Sequence, residues 1–449
     1  MHRWALEEDR GDDEEREAMR ILRGRAQGEK FLNGLRERRG EELKGISRIV
    51  ERIIRDVRRF GDRAVRKYTK KYDGVSPREL RVGPRELRLS MRRLDAKGIE
   101  ALRAAKRNLE RFHRAQLRDG FSIRIARGAE IGQLPRPLRR VGGYVPGGRR
   151  PYPSSMLMCA VPALAAGVEE VAICTPPGEG GRIHDAVLAA AGICGVEEVY
   201  KVGGAQAIAA LAYGTESIEK VDKIVGPGNI YVTIAKLLVR DDVAVDLPAG
   251  PSEIVIIADS TANPKFVAAD LLAQAEHGPT SLALLLTDSK ALAKAVVREV
   301  EGELGSRASD RAAAEAIRGN GAIVILKGIG ECVALANAIA PEHLEIMVKE
   351  PEELLGSIES AGAVFLGEYS PVALGDYSAG LNHILPTHGF AKYYSGLSSW
   401  DFVKWLNYLS CSKEGFERLC GAAIKLAEIE GFRYHSKSIR ARLEGDGGS

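Results

Sequence analysis

Cysteine is scarce in this sequence, and its spacing does not point to disulfides. The 449 residues include six cysteines, and no two form a CxxC pair. They are Cys159, Cys174, Cys194, Cys332, Cys411 and Cys420. Such a sparse set excludes a disulfide framework and favours a reducing, cytoplasmic setting. Cys174, at the end of a predicted strand, is also a candidate nucleophile for an aldehyde.

Long apolar runs are missing as well. The most apolar run, residues 156–168, is interrupted by Pro162 and is shorter than the roughly 20 residues that span a bilayer. The N-terminal segment MHRWALEEDRGDDEEREAMR is mostly charged and lacks the apolar core of a secretory signal. We therefore expect no membrane partner.

A strong charge of one sign is also absent. The 65 Lys and Arg residues nearly balance the 61 Asp and Glu residues, which leaves a net charge of +4. This gives no reason to expect nucleic acid as a partner, and the arginines within residues 101–150 fit a solvated face. With 45% hydrophobic and 28% charged residues, the chain has the composition of a soluble globular protein of two or more domains.

Helical patterns fill the first part of the chain. Residues 1–45 alternate blocks of charge with few hydrophobic residues, which predicts a helical or partly disordered arm. In residues 46–72, apolar side chains recur every three or four positions, which predicts an amphipathic helix with a break near Gly61. A further helix is predicted over residues 84–116.

From about Val141, glycine and proline separate short β-branched runs. Three similar phrases each lead into a Gly- or Pro-rich turn, at spacings of about 28 and 25 residues that match βαβ units. This rhythm predicts a parallel, Rossmann-like sheet. Because no GxGxxG follows a strand, a bound nucleotide would need a variant loop. The candidate turns are residues 144–148, 203–206 and 226–229.

Five later strand-like runs predict a second α/β sheet. They cover residues 253–258, 281–286, 322–326, 344–348 and 363–366. Asn263-Pro264 predicts the start of a helix that carries Gln274 and His277. The Pro- and Gly-rich segment 246–251 indicates the passage from one sheet to the other.

The sequence thus predicts an α/β fold with two Rossmann-like parallel-sheet domains, an N-terminal helical arm and a C-terminal helical dimerisation region. The arm is residues 1–45, and the nucleotide-binding domain is residues 141–249. Residues 46–140 and 250–380 are expected to form a discontinuous α/β domain with the catalytic residues. Residues 381–449, rich in aromatic side chains, are the predicted helical dimerisation tail.

Polar residues that can carry chemistry recur in the later part of the chain. Gln274 and His277 lie at i and i+3, on one edge of the predicted helix, although such spacing also arises by accident. Glu342 and His343 lie at a helix-to-strand junction, where a carboxylate and an imidazole can divide proton transfers between two steps. The alternative for this pair is a solvent-facing junction.

Two further phrases combine a carboxylate with an imidazole. Asp376 and His383 lie in a glycine-punctuated loop, a place that serves a site more often than a core. Glu430 and His435 lie near the C-terminus. A set of Gln, His, Asp and His side chains suits a divalent ion such as zinc. Spacing alone is weak evidence for it, because no compact motif such as HExxH is present.

Taken together, these phrases resemble one family, the histidinol dehydrogenases, from about residue 45 to the end of the chain. The leader before residue 45 has no clear counterpart there. The matching phrases are YVPGG at 144–148, GPGN at 226–229, AGPSE at 249–253, QAEHG at 274–278, PEHLE at 341–345, GDYSAGLNHILPT at 375–387 and EGFRYH at 430–435.

The resemblance implies oxidation of L-histidinol to L-histidine through L-histidinal, with two NAD molecules reduced in succession. It also implies one zinc ion per subunit, which binds the imidazole and amino group of the substrate. The family is an intertwined homodimer, so the last segment of one subunit is expected to reach the active site of the other.

The resemblance assigns roles to positions of this sequence. His343 matches the base of both oxidations, and Glu342 matches the residue that activates water. The matching zinc ligands, which also surround the substrate, are Gln274, His277, Asp376 and His435. Further substrate contacts match Ser252, His383 and Glu430, and positions that hold NAD match Tyr144, Gln206 and Asn229.

Two other functions are open to this sequence. A related zinc and NAD dehydrogenase for another small alcohol would keep the metal, the cofactor and the base. A zinc hydrolase would use Glu342 to activate water, but it would leave the βαβ rhythm and the three glycine-rich turns without a use.

Overall fold

The structure is a computed structural model that describes residues 19–147, 150–248, 250–306 and 311–444. Residues 1–18 of the predicted arm, residues 445–449 of the predicted tail, and Gly148 and Ala249 of two motifs lie outside the described residues. Within the described ranges, no helix is both long and apolar enough to cross a bilayer.

The strands and helices alternate along most of the chain. The strands are β1 (Arg20–Arg23), β2 (Phe121–Ala126), β3 (Ala129–Pro137), β4 (Arg140–Tyr144), β5 (Glu170–Thr175), β6 (Glu198–Lys201), β7 (Lys223–Val225), β8 (Ala244–Val245), β9 (Glu253–Ala258), β10 (Leu282–Thr287), β11 (Gly321–Ile325), β12 (His343–Met347), β13 (Ala363–Leu366) and β14 (Val403–Cys411). The helices are α1 (Arg25–Asp73), α2 (Pro84–Arg93), α3 (Ala96–Gln116), α4 (Pro153–Ala165), α5 (Asp185–Cys194), α6 (Gly204–Tyr213), α7 (Ile230–Val239), α8 (Pro264–Ala275), α9 (Lys290–Ser306), α10 (Arg311–Asn320), α11 (Ile329–Ile339), α12 (Glu352–Leu355), α13 (Val372–Leu374), α14 (Lys413–Ile429) and α15 (Arg433–Glu444).

The first parallel sheet has five strands in the order β6-β5-β4-β7-β8. Along the chain, β4, β5 and β6 follow one another toward one edge of this sheet, and β7 and β8 follow toward the other edge. The direction of winding therefore reverses between β4 and β7. Open α/β sheets bind ligands at such a reversal, outside the carboxyl ends of the strands. The predicted Rossmann-like sheet is confirmed, and its crevice lies beside Tyr144 and Gly226.

The second parallel sheet has six strands in the order β1-β11-β10-β9-β12-β13. Residues in β9, β10 and β12 are buried throughout, as expected for a parallel sheet covered on both faces. All five strands predicted from residue 253 onward are present. β1 was not predicted, because a four-residue strand with arginine at both ends resembles the charged arm around it.

The third sheet is antiparallel, with the order β14-β3-β2. It corrects the prediction of a helical tail over residues 381–449, because residues 403–411 form a strand along the full length of β3. The aromatic residues of β14 alternate between faces of this sheet instead of lining a helix. Helical structure resumes only with α14 and α15.

Helices α1 to α3 pack on the first parallel sheet. α1 contacts α6 and α7, α2 contacts α5, and α3 contacts α4. The prediction that residues 46–140 join residues 250–380 in one domain is therefore not matched by these contacts. The amphipathic face of α1 is instead covered by the alanine-rich surface of α6, where Val50 and Ile53 share a core with Leu211.

Gly61 interrupts α1 where the sequence predicts a break. Its φ of +50° is unfavourable for other residues, and an added Cβ would collide with the carboxylate of Glu216. The helix predicted over residues 84–116 is in fact two, α2 and α3, because Asp95 caps the second by accepting from the N–H of Gly98.

Candidate active site

The site forms where the amino ends of β9 and β12 meet the last turn of α8. α8 runs back across the sheet after β9, so its C-terminal residues return to the edge where β9 begins. Ser155, in the first turn of α4, reaches this edge from the first sheet, where its hydroxyl lies 2.9 Å from Nε2 of His383. Residues from both parallel sheets therefore meet at one place.

His343 is the first residue of β12 and is buried. Its Nδ1 lies 3.0 Å from the backbone carbonyl oxygen of Glu253, and since a carbonyl can only accept, this nitrogen carries the proton. Nε2 is then the unprotonated nitrogen, and it has no hydrogen-bond partner among the described residues. Burial lowers the pKa of His343 to about 3, so the ring is neutral at pH 7.

Glu342 lies beside this imidazole and is also buried. Its Oε2 accepts a hydrogen bond of 2.7 Å from the backbone N–H of Glu253 and lies 3.5 Å from Nδ1 of His343. Burial raises the pKa of Glu342 well above 4.5, and this outweighs the stabilising N–H. A raised pKa makes the ionised carboxyl group a stronger base toward a neighbouring water.

Glu253 holds both residues, and the sequence did not single it out. Its backbone N–H and C=O bind Glu342 and His343, and its own buried carboxylate accepts from the backbone N–H of His388 at 3.1 Å. Ser252 precedes it, half-buried, at the entry to β9. Glu253 was missed because it begins an apolar run that indicates only a strand.

Of the predicted zinc ligands of this region, Gln274 lies in the last turn of α8, His277 two residues past the end of that helix, and Asp376 in a turn after α13. Gln274 is buried, and its side-chain Nε2 has no hydrogen-bond partner among the described residues. His277 follows it on the same edge, close enough to lower the pKa of His343 further. Asp376 lies in a π-helical turn, Gly375–Ala379, with Oδ1 3.8 Å from Nε2 of His343. Burial raises the pKa of Asp376 to about 7.

The predicted zinc ligands do not form a complete metal site among the described residues. Across the described ranges, no group of three or more His, Cys, Asp or Glu residues is arranged to hold a metal ion. The local set offers only one His and one Asp of those types, together with the amide of Gln274. The atom of Gln274 that could bind a metal is Oε1, whereas the unpartnered Nε2 is a donor, whose desolvation cost an acceptor on a bound molecule would offset.

His383 is engaged by protein groups at both ring nitrogens. Nδ1 lies 3.3 Å from the backbone oxygen of Asp376 and therefore carries the proton, which leaves Nε2 to accept from the hydroxyl of Ser155. Burial lowers the pKa of His383 to about 4. Ser155 was not predicted, because it lies in an apolar helix with no polar pattern around it.

Glu430 and His435 lie apart from this cluster. Both are exposed, on the pair of helices α14 and α15, which contacts the three-stranded sheet. The large apolar side chains around them are exposed as well, with Ile429 at 70% and Tyr434 at 80%. The structure of one chain thus does not bring these two predicted site residues to His343.

The three predicted NAD positions lie at the carboxyl ends of strands in the first sheet. The hydroxyl of Tyr144 accepts from the N–H of Gly204 at 3.1 Å, which ties the end of β4 to the start of α6. Gln206 is buried, and its Nε2 has no hydrogen-bond partner within the described part of the chain. The side-chain oxygen of Asn229 accepts from the N–H groups of Tyr231 and Val232 and so caps α7.

The cysteines do not take part in this site. All six are free. Cys174 is buried, and burial raises the pKa of its thiol, so the thiolate needed for attack on an aldehyde is disfavoured. The structure therefore favours the reading of Cys174 as a core residue.

Comparison with known proteins places this geometry among related chains. The family model described as histidinol dehydrogenase matches residues 36–443. A histidinol dehydrogenase of Methanothermobacter thermautotrophicus is 48% identical over 412 residues, which cover 92% of this chain and 97% of that protein. One of Bacillus cereus is 48% identical over 410 residues, which cover 91% and 95%. The crystal structure of histidinol dehydrogenase from Elizabethkingia anophelis matches with a TM-score of 0.88 at 36% identity, over 97% of this chain and 100% of that one.

Proposed function

Because the chain belongs to the histidinol dehydrogenase family, we propose that it oxidises L-histidinol to L-histidine through L-histidinal, with zinc and NAD. One observation carries the proposal. His343 is a buried, neutral imidazole whose tautomer is fixed by Glu253 and whose unpartnered Nε2 lies 3.8 Å from Oδ1 of Asp376.

His343 would act as the base in both oxidations. The bond from Nδ1–H to the Glu253 carbonyl keeps the lone pair on Nε2, where the proton of the substrate hydroxyl is taken up. The same nitrogen would take the proton of the hydrated aldehyde in the second oxidation. A positioned base of this kind contributes roughly 10² to 10⁴ in rate.

Glu342 would serve the step between the two oxidations. Its carboxyl group is adjacent to His343, and its raised pKa lets it accept a proton from the water that adds to the aldehyde. The N–H of Glu253 fixes one carboxyl oxygen and leaves the other for that water.

Zinc would be held by Gln274, His277 and Asp376 of one chain and by His435 of a second copy. When bound, the ion binds the imidazole and amino group of the substrate and so orients it. The burial of Gln274 in the last turn of α8 and the position of Asp376, with Oδ1 3.8 Å from Nε2 of His343, support this assignment. Ser252, His383 and Glu430 would complete the substrate contacts.

NAD would bind beside Tyr144, Gln206 and Asn229, at the reversal of the first sheet. When bound, it accepts hydride from the substrate carbon. The three glycine-containing turns at this edge and the unpartnered amide of Gln206 support the assignment.

A homodimer would complete the site. Exposed apolar side chains on the C-terminal helices and on the three-stranded sheet, such as Ile429, Phe432, Leu406 and Leu409, form a surface suited to burial between subunits. Its location beside Glu430 and His435 supports a shared active site.

The test is the yield of NADH per L-histidinol consumed to completion. Two NADH per substrate, with L-histidine as product, are expected. One NADH with an aldehyde product would favour the alternative, a zinc and NAD dehydrogenase of another small alcohol. No NADH from the zinc-loaded dimer would overturn the proposal.

A further inference from the structure

A buried ion pair forms hydrogen bonds with both the backbone N–H and the backbone C=O of Gly226. The carboxylate Oδ2 of Asp246 accepts from its N–H at 2.8 Å, and Nζ of Lys236 donates to its carbonyl oxygen at 3.0 Å. Lys236 and Asp246 also form an ion pair with each other. The peptide groups on both sides of Gly226, in the turn after β7, are thus held by side-chain hydrogen bonds.

The ion pair and its hydrogen bonds to Gly226 lie at the crevice of the first sheet. Gly226 has a φ of +118°, and an added Cβ would collide with the carbonyl oxygen of Tyr144. The turn therefore lies directly against the end of β4. Asn229, the next predicted cofactor position, follows three residues later and caps α7, the helix that carries Lys236.

The same pair reaches the connection between the two parallel sheets. Nζ of Lys236 lies 3.4 Å from the carbonyl oxygen of Leu247, and Asp246 opens the segment that ends at Ser252 and Glu253. Further along this segment, the N–H of Gly250 donates to the hydroxyl of Thr387 at 2.7 Å.

Because both charged side chains are buried, the ion pair adds little to the free energy of unfolding. The side chain of Lys236 is 5% exposed and that of Asp246 is 0% exposed. A buried ion pair of this kind often stabilises a fold no better than two apolar residues would, because both charges lose their hydration. What the pair provides, and apolar side chains would not, is a fixed direction for one peptide group.

We propose that Lys236 and Asp246 are positioning residues that hold the turn at residues 226–229 in the conformation that receives the dinucleotide. The proposal rests on the proposed binding of NAD at this turn. The pair also contacts Leu247, at the start of the segment that leads to Ser252 and Glu253.

The test compares Lys236→Met with Arg140→Met in the zinc-loaded full-length enzyme. Arg140 is a matched control, because it is a buried cation of the same sheet at the opposite ends of the strands, paired at 2.7 Å with Glu170 and with Glu198. Steady-state rates are measured at varied NAD and varied L-histidinol, together with zinc content and Tm.

We expect Lys236→Met to raise KM for NAD about ten- to a hundredfold, the scale of a misplaced contact. Zinc content should stay at the wild-type value. Arg140→Met should lower Tm without changing KM for NAD. Equal KM for NAD in Lys236→Met and wild type would overturn the proposal, and so would an equal rise in both variants, which would mean a structural role alone.

Asp246→Asn gives a second reading if Lys236→Met does not fold. Its amide oxygen still accepts from the N–H of Gly226 while the ion pair is lost, so KM for NAD should still rise above the wild-type value. An unchanged KM here would contradict the proposal. If the wild-type enzyme itself reduces no NAD, the proposed function fails, and that outcome is distinct from an active enzyme in which these variants have no effect.

Discussion

The backbone carbonyl oxygen of Glu253 lies 3.0 Å from Nδ1 of His343, and this contact decides which ring nitrogen faces the site. Because the acceptor is a main-chain atom of the neighbouring strand β9, it does not depend on the protonation of any side chain. The pairing of His343 with Ile254 in the sheet register sets it. The reactive nitrogen is thus oriented by the backbone of the sheet.

Replacement of His343 by Gln should remove the base and leave the ligand groups in place. We expect the rate of NADH formation to fall by about 10² to 10⁴, while zinc content and binding of L-histidinol persist. Stopped-flow absorbance of NADH and calorimetric titration with L-histidinol measure the two effects. His184→Gln, a substitution at the cap of α5, is the matched control. Unchanged turnover in His343→Gln would refute the role of base.

The buried imidazole should also make the metal-free protein sensitive to acid. The pKa of His343 falls from 6.5 to about 3 in the fold, so below pH 6.5 the unfolded chain binds more protons than the folded chain. Stability must therefore decrease as the pH falls from about 6.5 toward 3. His343→Gln lacks this group, so its loss of Tm between pH 7 and 5 should be smaller than that of wild type. Equal losses would mean that His343 is not buried in its neutral form.

Glu345 and Asp270 are two neighbouring carboxyl groups behind the site. Glu345 is buried two residues after His343, on the same face of β12, and lies near enough to the Asp270 carboxyl group on α8 for the charge of Asp270 to raise its pKa. One oxygen of Glu345 accepts from the N–H of Val372 at 2.7 Å. Burial raises the pKa of both carboxyl groups, so the folded chain keeps a proton that the unfolded chain releases.

Stability should consequently fall as the pH rises above the ordinary carboxyl pKa. Glu345→Gln keeps an acceptor for Val372 and removes the carboxyl group that titrates. We expect its Tm, relative to wild type, to rise by about 2–4 °C between pH 5 and pH 8. Scanning calorimetry at both values measures this. Glu353→Gln, on the exposed helix α12, should show no such change. A Tm difference that is independent of pH would exclude a shared proton.

Shared active sites can be tested by mixing two inactive variants. In a heterodimer of His343→Gln with His435→Ala, one site combines an intact His343 with the intact His435 of the other subunit. Dissociation, mixing and reassociation should restore activity to about half of that of the wild-type dimer per heterodimer, together with zinc in one site. Each variant alone, treated in the same way, is the control. If the mixture stays inactive, His435 acts within its own chain or not at all.

The elements and residues that the sequence predicts are those with a local signal. The strands of both parallel sheets are short apolar runs between turn residues, and the C-terminal end of α1 and its break at Gly61 follow from periodicity and glycine, whereas its start at Arg25 lies well before the predicted residue 46. Strand β14 gave no such signal, because its aromatic residues also suit a helix and its pairing with β3 is fixed only by tertiary contact. Glu253 acts chiefly through its backbone N–H and C=O. Any residue type other than proline can form such main-chain hydrogen bonds, so the sequence could not predict this role.

The edge position of β1 has a consequence for synthesis of the chain. Arg20 pairs with Ala322, whereas every strand of the five-stranded sheet lies within residues 140–245. A ribosome therefore releases the whole of the first sheet before the partner of β1 exists. Loop closure over such a distance is slow, so β1 should dock late and α1 early, against α6. The first strand described in the chain is among the last to find its place.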